Sequence, residues 1–500
     1  MHTYTDQGKG FCADNTRVEI QEEIRKWLSP QTSSSEHIFW ITGIAGSGKS
    51  TLSATVAETL RKNHTPVAAQ FFISRNLLET IKPEKIIPTI AQQLSELSPV
   101  AARIIQDTLK DGFPSSWKEQ VEALLLAPIR ELCKSRDVVI IIIDALDELD
   151  NPARSIKEIL SPIATSNLPN NIRFIITSRP DGWADDIAKT LESVGLKQCA
   201  LKTESSREEV KNFVAARMKD ITLKQSGPGW ENWPPPRDLQ KLCNQADGLF
   251  HYAGTALHWI EAQIDEHGRA CRGWVLENLT PEGGLGQLED LYRVILTSFE
   301  DINKPARNAG RRKVRLAGFQ HVIGTILVLQ ESLTIHQITA ILADISENDF
   351  DVVKFLQQFR SVLIPGNTAS FEEAQPQMHK SFRDYIMGER APPVFRIHTG
   401  EAHLVTARSC LEVIVKAGSS SDAAAEYAVA YWCQHLRKAV EGDADFGDEG
   451  GIWDLFKRMK EDTVVGVWKE NAKDVFCDVA AAGWKLLKLL INTGWREFWP

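Results

Sequence analysis

The sequence predicts an α/β fold, in which a parallel sheet with helices on both faces is followed by a mostly helical region. Two observations lead to this prediction. Short aliphatic runs alternate with helical periods of apolar residues up to about residue 203, and a glycine-rich loop separates the first run from the next helix. The runs predicted as strands span residues 37–42, 67–73, 138–143, 174–177 and 198–201.

Composition and charge narrow the class of protein. The chain has 500 residues, of which 43% are hydrophobic and 25% charged, a balance typical of globular domains. Its net charge of −9 argues against a protein that mainly coats nucleic acid or acidic membranes, so we expect neither partner. The longest aliphatic run, 138–143, is far shorter than the about 20 apolar residues of a membrane span, and residues 1–15 lack a signal-peptide core. We therefore expect a cytoplasmic chain.

Breaks in the pattern divide the chain into five segments. An amphipathic helix and a polar linker (1–35) precede the α/β domain (36–203), and a helical domain (204–287) follows it. Between residues 288 and 390, three amphipathic helices around a short strand pair predict a winged-helix domain. Residues 391–500 are helical by pattern and end in a tail that contains Trp484, Trp495 and Trp499.

Local patterns make further predictions. The S/T-x-x-E spacings that begin at Thr16 and Ser206 predict capping boxes at the starts of two helices. The cationic segment 304–315 is typical of a solvated loop, and the segment 226–236, with three consecutive prolines, of a surface insertion. Eight cysteines without a C-x-x-C pair predict free, mostly buried thiols.

The glycine-rich loop after the first predicted strand fits the phosphate-binding pattern G-x-x-x-x-G-K-[ST] without a mismatch. Its glycines let backbone N–H groups turn inward toward phosphate oxygens, and the positive end of the following helix faces the same anion. Lys49 supplies a charge for the β and γ phosphates, and Ser50 a hydroxyl for Mg²⁺. The residues predicted to bind the nucleotide are Gly43, Ile44, Ala45, Gly46, Ser47, Gly48, Lys49, Ser50 and Thr51.

An acidic motif follows the aliphatic run 138–143. Asp144 ends this run at the carboxyl edge of the sheet, where ligands of parallel sheets bind, and is predicted to hold Mg²⁺ together with Ser50. Asp147 and Glu148, one turn further, are placed to orient or deprotonate an attacking water. The competing interpretation, a solvated acidic turn at a helix start, is disfavoured by the six aliphatic residues before Asp144.

The next predicted strand leads into Arg179. An arginine at a strand end that faces a phosphate site can neutralise charge on the γ phosphate. Chemistry alone leaves open whether Arg179 does this or is an ordinary surface arginine. It is therefore a candidate catalytic residue.

Together these motifs resemble the NACHT NTPases of the STAND class, especially the large fungal set that includes heterokaryon-incompatibility proteins. The resemblance is carried by residues 43–51, 144–148 and 176–179, with further similar blocks at 12–17, 70–75, 247–250, 288–292 and 379–385. It covers roughly residues 12–440.

The resemblance implies a switch in which ADP holds a closed state, ATP releases an oligomerising state, and slow ATP hydrolysis resets it. It implies ATP or ADP and Mg²⁺ as ligands, a homo-oligomer as the active form, an effector or sensor protein as a partner, and a role in fungal self-recognition or programmed cell death. It also implies that His379, in an H-x-S-F block, contacts the β phosphate of bound ADP. Judged from the residues alone, such a histidine is more often structural.

Two departures from the family pattern affect these implications. The segment 248–254 has no proline of the kind that animal relatives place against the adenine, so adenine specificity follows from the resemblance only. Family members usually carry an N-terminal effector domain and C-terminal repeats, whereas about 35 residues precede the first predicted strand and no repeat period follows. By this pattern we expect the parts that sense and trigger to be missing from the sequence, unless the final hundred residues or a partner chain supply them.

Two other functions remain open on the sequence. A nucleotide-binding scaffold without turnover would use Asp147 and Glu148 as structural residues. A P-loop kinase would transfer the γ phosphate to a small hydroxylated substrate. The acidic pair suits water activation better, and a small kinase has no need for the roughly three hundred residues beyond the sheet.

Overall fold

The computed structural model describes residues 2–7, 9–29, 36–65, 67–225, 229–279, 288–300, 309–343, 350–364, 370–417, 423–442 and 444. The chain divides into two compact units, Met1–Gln287 and Leu288–Pro500, and each is described by itself. Every helix in the described ranges is too short or too polar to span a bilayer.

Five parallel strands form the sheet of the first unit. They are β1 (Ile38–Thr42), β2 (Ala69–Phe72), β3 (Val139–Asp144), β4 (Ile172–Ser178) and β5 (Leu196–Ala200). Their order is β2-β3-β4-β1-β5, and the register pairs Thr42 with Ser178 and Ile143 with Ile176. The predicted α/β fold is confirmed, and the carboxyl ends of β1, β3 and β4 meet at one edge.

Helices connect the strands and continue beyond them. In the first unit they are α1 (Val18–Trp27), α2 (Lys49–Lys62), α3 (Leu78–Ile81), α4 (Ile86–Leu97), α5 (Pro99–Lys110), α6 (Trp117–Gln120), α7 (Ala127–Ser135), α8 (Pro152–Ala164), α9 (Ala184–Leu191), α10 (Thr203–Leu223), α11 (Pro236–Ala246), α12 (Phe250–His267) and α13 (Val275–Leu279). A π-helical stretch, Val121–Leu126, joins α6 to α7.

Alternate side chains of the strands pack into two apolar cores, one on each face of the sheet. Trp40 and Ile141 belong to the core that contains the apolar sides of α4, α5, α7, α8 and α9. Phe39 and Ile142, their chain neighbours, belong to the core formed with α1 and α2. Because the strands are buried on both faces of the sheet, their sequences are continuous aliphatic runs and do not alternate between apolar and polar residues.

The second unit is helical in its described part except for one strand pair. Its helices are α14 (Leu288–Glu300), α15 (Ala309–Val328), α16 (Ile335–Ile341), α17 (Val352–Gln358), α18 (Lys380–Met387), α19 (Thr399–Ala417) and α20 (Ala423–Glu441). The strands β6 (Leu363–Ile364) and β7 (Gln377–Met378) pair antiparallel. The winged-helix assignment of residues 288–390 stays a prediction, and the predicted Trp-rich tail lies outside the described residues.

The two predicted capping boxes are wrong. The N-cap of α1 is Arg17 rather than Thr16, whose hydroxyl donates to the carbonyl oxygen of Ala13 at 2.7 Å. Ser206 lies inside α10 rather than at its start, and its hydroxyl donates to the carbonyl oxygen of Lys202 at 3.0 Å. Both hydroxyls therefore donate to carbonyl oxygens earlier in the chain and do not accept an N–H group at a helix start, a difference that the S/T-x-x-E pattern cannot reveal.

Two further expectations need correction. The cationic segment predicted as a loop is helical from Ala309 onward, whereas residues 301–308 lie outside the described ranges. The described cysteines are free as predicted, but Cys271, Cys410 and Cys433 are buried and the other four are half-buried.

Buried polar side chains form a hydrogen-bonded chain between α19 and α20. The Nδ1 atoms of His403 and His435 are 2.8 Å apart, and His435 Nε2 lies 2.8 Å from the hydroxyl of Tyr427. That hydroxyl also accepts the main-chain N–H of Gln330 at 3.1 Å. These buried polar groups are hydrogen-bonded to one another, which favours the neutral form of both imidazoles.

Acidification should therefore destabilise the second unit. Burial, with smaller contributions from Lys438 and Arg383, lowers the pKa of His403 to about 3, and burial lowers the pKa of His435 well below its usual value. Between the folded and unfolded pKa values the unfolded state binds more protons. The free energy of unfolding should fall as the pH drops below about 6.5, by up to about 1.4 kcal/mol per pH unit for each histidine. Urea unfolding between pH 7.5 and 5.5 measures this slope.

A double variant, His403→Asn with His435→Gln, removes both titrating groups and should flatten the dependence. His267→Gln, at a position 43% exposed, is the control and should leave it unchanged. An equal slope in the double variant and the wild type would contradict this assignment.

Candidate nucleotide-binding site

The glycine-rich loop lies between the end of β1 and the start of α2, as the motif requires. Gly46 and Gly48 adopt φ angles of +75° and +90°, a region in which residues with a Cβ are strained. The N–H of Ser47 donates to the carbonyl oxygen of Ile44 at 3.2 Å and closes a turn within the loop. Because α2 begins at Lys49, its positive end faces the loop.

Lys49 connects the loop to the acidic motif. Its Nζ donates to the carbonyl oxygens of Gly43 at 2.7 Å and Ile44 at 3.1 Å, which fixes the ammonium with two of its three donors. Burial lowers the pKa of Lys49, and the carboxylates of Asp147 and Asp144 oppose this shift. The structure therefore brings the two motifs of the sequence into electrostatic contact.

Asp144 is fully buried at the last position of β3. The hydroxyl of Thr177 donates to its Oδ1 at 2.7 Å, and the N–H of Ala145 donates to Thr177 Oγ1 at 2.8 Å. Asp144 Oδ2 is buried and has no hydrogen-bond partner among the described residues. A carboxylate oxygen in this state fits a water or cation ligand, so Asp144 and Ser50 suit Mg²⁺.

A metal at Asp144 would need ligands beyond the protein. Across the residues that the structure describes, no group of three or more His, Cys, Asp or Glu could hold a metal ion. Mg²⁺ commonly binds through one or two protein ligands, phosphate oxygens and water. The site chemistry therefore matches a metal that arrives with a nucleotide.

Asp147 and Glu148 lie on the 3-10 turn Leu146–Glu148 that follows β3. Asp147 is buried; its Oδ1 accepts the N–H of Arg179 at 3.1 Å, and its Oδ2 lies 3.2 Å from Arg179 Nε. Glu148 Oε2 accepts the N–H of Arg75 at 3.0 Å. All three predicted catalytic residues thus lie at the carboxyl edge of the sheet, with Asp147 engaged by Arg179.

His379 lies in the second unit, where it caps a helix. It is the N-cap of α18, and its Nδ1 accepts the N–H of Ser381 at 3.2 Å and lies 2.6 Å from Ser381 Oγ. The same Oγ is 2.8 Å from the hydroxyl of Tyr292. This local role accounts for the histidine structurally, and its contact with a phosphate stays a prediction.

Three site residues received no role from the sequence. The Arg17 guanidinium donates to the carbonyl oxygen of Ser47 at 2.7 Å, and the N–H of His251 donates to that of Gly46 at 3.2 Å. Thr177 orients Asp144. Arg17 and Thr177 fall within blocks that resemble the fungal family, and this resemblance could have pointed to them. His251 contributes only its main-chain N–H, which any residue except proline has, so its contact could not be predicted from residue type.

Among known protein families, one matches part of the chain. Residues 18–179, about a third of the chain, match the family described as Nephrocystin 3, N-terminal. No curated protein sequence matches the chain.

Similar solved structures have low identity. They include a Walker-type ATPase of Pyrococcus abyssi (13% identity, 75% of this chain and 97% of that chain, TM-score 0.35), Cdc6p of Pyrobaculum aerophilum (12%, 74% and 91%, 0.36) and the Aeropyrum pernix ORC1 protein in complex with DNA (11%, 74% and 92%, 0.34). Scores this low assign no function. The loop, the parallel sheet and the acidic strand end make the first unit a P-loop NTPase domain.

The two positive-φ glycines should differ in their tolerance of alanine. Either substitution places a Cβ in the left-handed region, at about 1–2 kcal/mol. A Cβ on Gly46 would also lie 2.7 Å from the Cβ of His251, whereas a Cβ on Gly48 would meet nothing within 4 Å. Urea unfolding should therefore show a larger loss for Gly46→Ala than for Gly48→Ala, by about 1 kcal/mol or more. Equal losses of stability in the two variants would mean that α12, which contains His251, moves to accommodate the new methyl group at little cost.

Removing the Thr177 hydroxyl should disturb Asp144. Thr177→Val preserves the shape of the side chain but deprives Asp144 Oδ1 and the Ala145 N–H of a partner, each at about 1–3 kcal/mol. Thr177→Ser keeps the hydroxyl and serves as the matched control. The free energy of unfolding should drop for valine only, and a valine variant as stable as the serine variant would refute the argument.

Proposed function

We propose that this chain is a STAND-type NACHT ATPase that acts as a nucleotide-dependent signalling switch, with ADP in the off state and ATP in the on state. The observation that carries the proposal is the meeting of the phosphate loop, Asp144, Asp147, Glu148 and Arg179 at one sheet edge. Nucleotide binding alone needs the loop and Lys49. The acidic residues beyond Asp144 favour hydrolysis in addition.

Each residue has a definite task in nucleotide binding. The loop N–H groups and Lys49 bind the phosphates, and Ser50 and Asp144 hold Mg²⁺. When bound, Mg²⁺ neutralises charge on the phosphate oxygens. Thr177 keeps Asp144 Oδ1 occupied, which leaves Oδ2 as the oxygen that would hold the metal, directly or through a water.

Hydrolysis divides the remaining roles between the two acidic side chains. Glu148 orients a water and accepts its proton as the water oxygen attacks the γ phosphorus, and ADP leaves. Asp147 holds Arg179, whose charge balances the transferring phosphoryl group. Because Arg179 and Asp147 are paired at 3.2 Å, the arginine is oriented before substrate binds.

The switch itself extends the proposal to the rest of the chain. Exchange of ADP for ATP shifts the equilibrium only if the two nucleotides contact the closed and open states differently. The family resemblance gives His379 and the winged-helix segment 288–390 this part, with a homo-oligomer as the active form. A role in fungal self-recognition or cell death, through an effector or sensor partner in the cytoplasm, belongs to the same proposal.

A scaffold that binds nucleotide without turnover is favoured by one specific observation. Both candidate catalytic carboxylates accept main-chain N–H groups, Asp147 from Arg179 and Glu148 from Arg75. Carboxylates that accept main-chain N–H groups can have a purely structural role, in which they connect the ends of neighbouring strands and take no part in catalysis. Turnover assays separate the two functions.

Lys49→Ala should abolish both nucleotide retention and ATP-dependent assembly, because the loop loses its fixed positive charge. Glu148→Gln should keep ATP affinity and slow phosphate release by about 100-fold or more, since the glutamine cannot accept the proton. Equilibrium binding of a fluorescent ATP analogue, phosphate release and the apparent mass with ADP or non-hydrolysable ATP measure these effects. Asp150→Asn, at an exposed neighbouring acid, is the matched control.

The outcomes assign the function. Phosphate release by the wild type and its loss in Glu148→Gln support the ATPase, and assembly with the ATP analogue alone supports the switch. Nucleotide binding without release from either protein favours the scaffold. Unchanged ATP affinity in Lys49→Ala would overturn the proposal.

A further inference from the structure

The side chain of Arg17 joins three parts of the first unit. Arg17 is 7% exposed, and its guanidinium donates to the carbonyl oxygen of Ser47 at 2.7 Å and to the hydroxyl of Ser206 on α10 at 2.6 Å. Its Cζ lies 5.1 Å from the ring centroid of Phe250, the first residue of α12. One buried cation therefore contacts the phosphate loop and two helices beyond the sheet.

This contact acts on the orientation of a loop peptide. In a trans peptide the carbonyl of one residue and the N–H of the next point in opposite directions. With the Ser47 carbonyl directed at Arg17, the N–H of Gly48 points to the other side, where a phosphate loop presents its donors. The Gly46 carbonyl is held likewise by the N–H of His251. The carbonyl groups of Gly46 and Ser47 are thus both held by residues outside the loop.

The charge of Arg17 is only partly balanced by the protein. Its described acceptors are a carbonyl, a hydroxyl and an aromatic ring, and its buried Nε has no hydrogen-bond partner among the described residues. Glu209 accepts the main-chain N–H of Arg17 at 2.9 Å, and its carboxylate offsets part of the cost of burying the guanidinium. Burial nevertheless lowers the pKa of Arg17, so the buried cation remains costly, and an anion in the adjacent loop lowers that cost.

We propose that Arg17 is a positioning residue through which nucleotide in the phosphate loop and the packing of α10 and α12 stabilise each other. The inference rests on the proposed nucleotide binding by this loop. Phosphate bound at the Gly48 N–H fixes the Ser47 peptide, which strengthens the Arg17 contact with Ser206 and Phe250. By linkage, firm packing of these helices raises nucleotide affinity by the same factor.

The test compares variants of the full chain. Arg17→Lys keeps the charge but not the planar fork that reaches Ser47 and Ser206 together, whereas Ser206→Ala leaves the loop contact in place. Arg25→Lys, on α1 at a position whose side chain is 68% exposed, is the matched control. The probes are a fluorescent ATP analogue with Mg²⁺ for affinity, and amide hydrogen exchange in α10 and α12 with and without non-hydrolysable ATP.

We expect nucleotide to slow exchange in both helices of the wild type and of Arg25→Lys. Arg17→Lys should weaken binding of the ATP analogue about tenfold, which is the scale of one charge-assisted hydrogen bond. The same variant should lose the nucleotide-dependent protection of α10. Ser206→Ala should lose that protection and weaken binding of the ATP analogue by the matching factor, about threefold, because the loop contact of Arg17 stays in place. A purely structural role would lower stability without removing the response to nucleotide.

Three results are decisive. Wild-type affinity and wild-type protection in Arg17→Lys would overturn the inference and leave the proposed function intact. If Arg17→Lys does not fold, Ser206→Ala decides, and full nucleotide-dependent protection of its α10 overturns the inference. If the wild type binds no nucleotide, the proposed function fails, and the inference fails with it.

Discussion

A strand that is buried on both faces carries its charged side chains at or next to its ends, as Asp144 does in β3 and Arg173 in β4. All six residues of β3 are buried, and Asp144, the charged one, stands at the last position. Because the neighbouring strands run parallel, their carboxyl ends meet there: the loop follows β1, Thr177 lies near the end of β4, and the N–H of Arg75 comes shortly after β2. The charges and donors of the candidate site are gathered by this constraint on burial rather than by any single motif.

The accuracy of the sequence predictions follows from the range of the interactions involved. The aliphatic runs of β1 and β3 are long enough to predict buried strands, whereas β5, with half-buried and exposed side chains, has a weak pattern and lies at residues 196–200 rather than 198–201. The capping boxes failed because the hydroxyls of Thr16 and Ser206 donate to carbonyl oxygens three and four residues earlier, and Arg17 takes the N-cap of α1. The Ser206 hydroxyl also accepts a hydrogen bond from Arg17, 189 residues away in the sequence, which no local pattern indicates.

Within the site, the types of residue could be predicted from the chemistry that they perform, but the contacts between them could not. Phosphate, metal and water each require particular groups at short spacings, which is why the loop and the acidic motif could be identified from the sequence. The pairs Thr177 with Asp144 and Arg179 with Asp147 connect residues 33 and 32 positions apart across two strands. They depend on the register of β3 and β4, which no local pattern specifies. Asp147 consequently has two candidate uses, in catalysis and in holding Arg179.

The placement of β5 bears on how the domain can be divided. The family match ends at residue 179, but β1 is hydrogen-bonded on both sides, to β4 and to β5. A fragment trimmed to the matched segment would expose the unpaired N–H and C=O groups of Ile38–Thr42 along an apolar strand. Such an edge invites pairing with another chain. A fragment meant to represent the domain therefore has to include β5, because β5 keeps this edge of β1 paired.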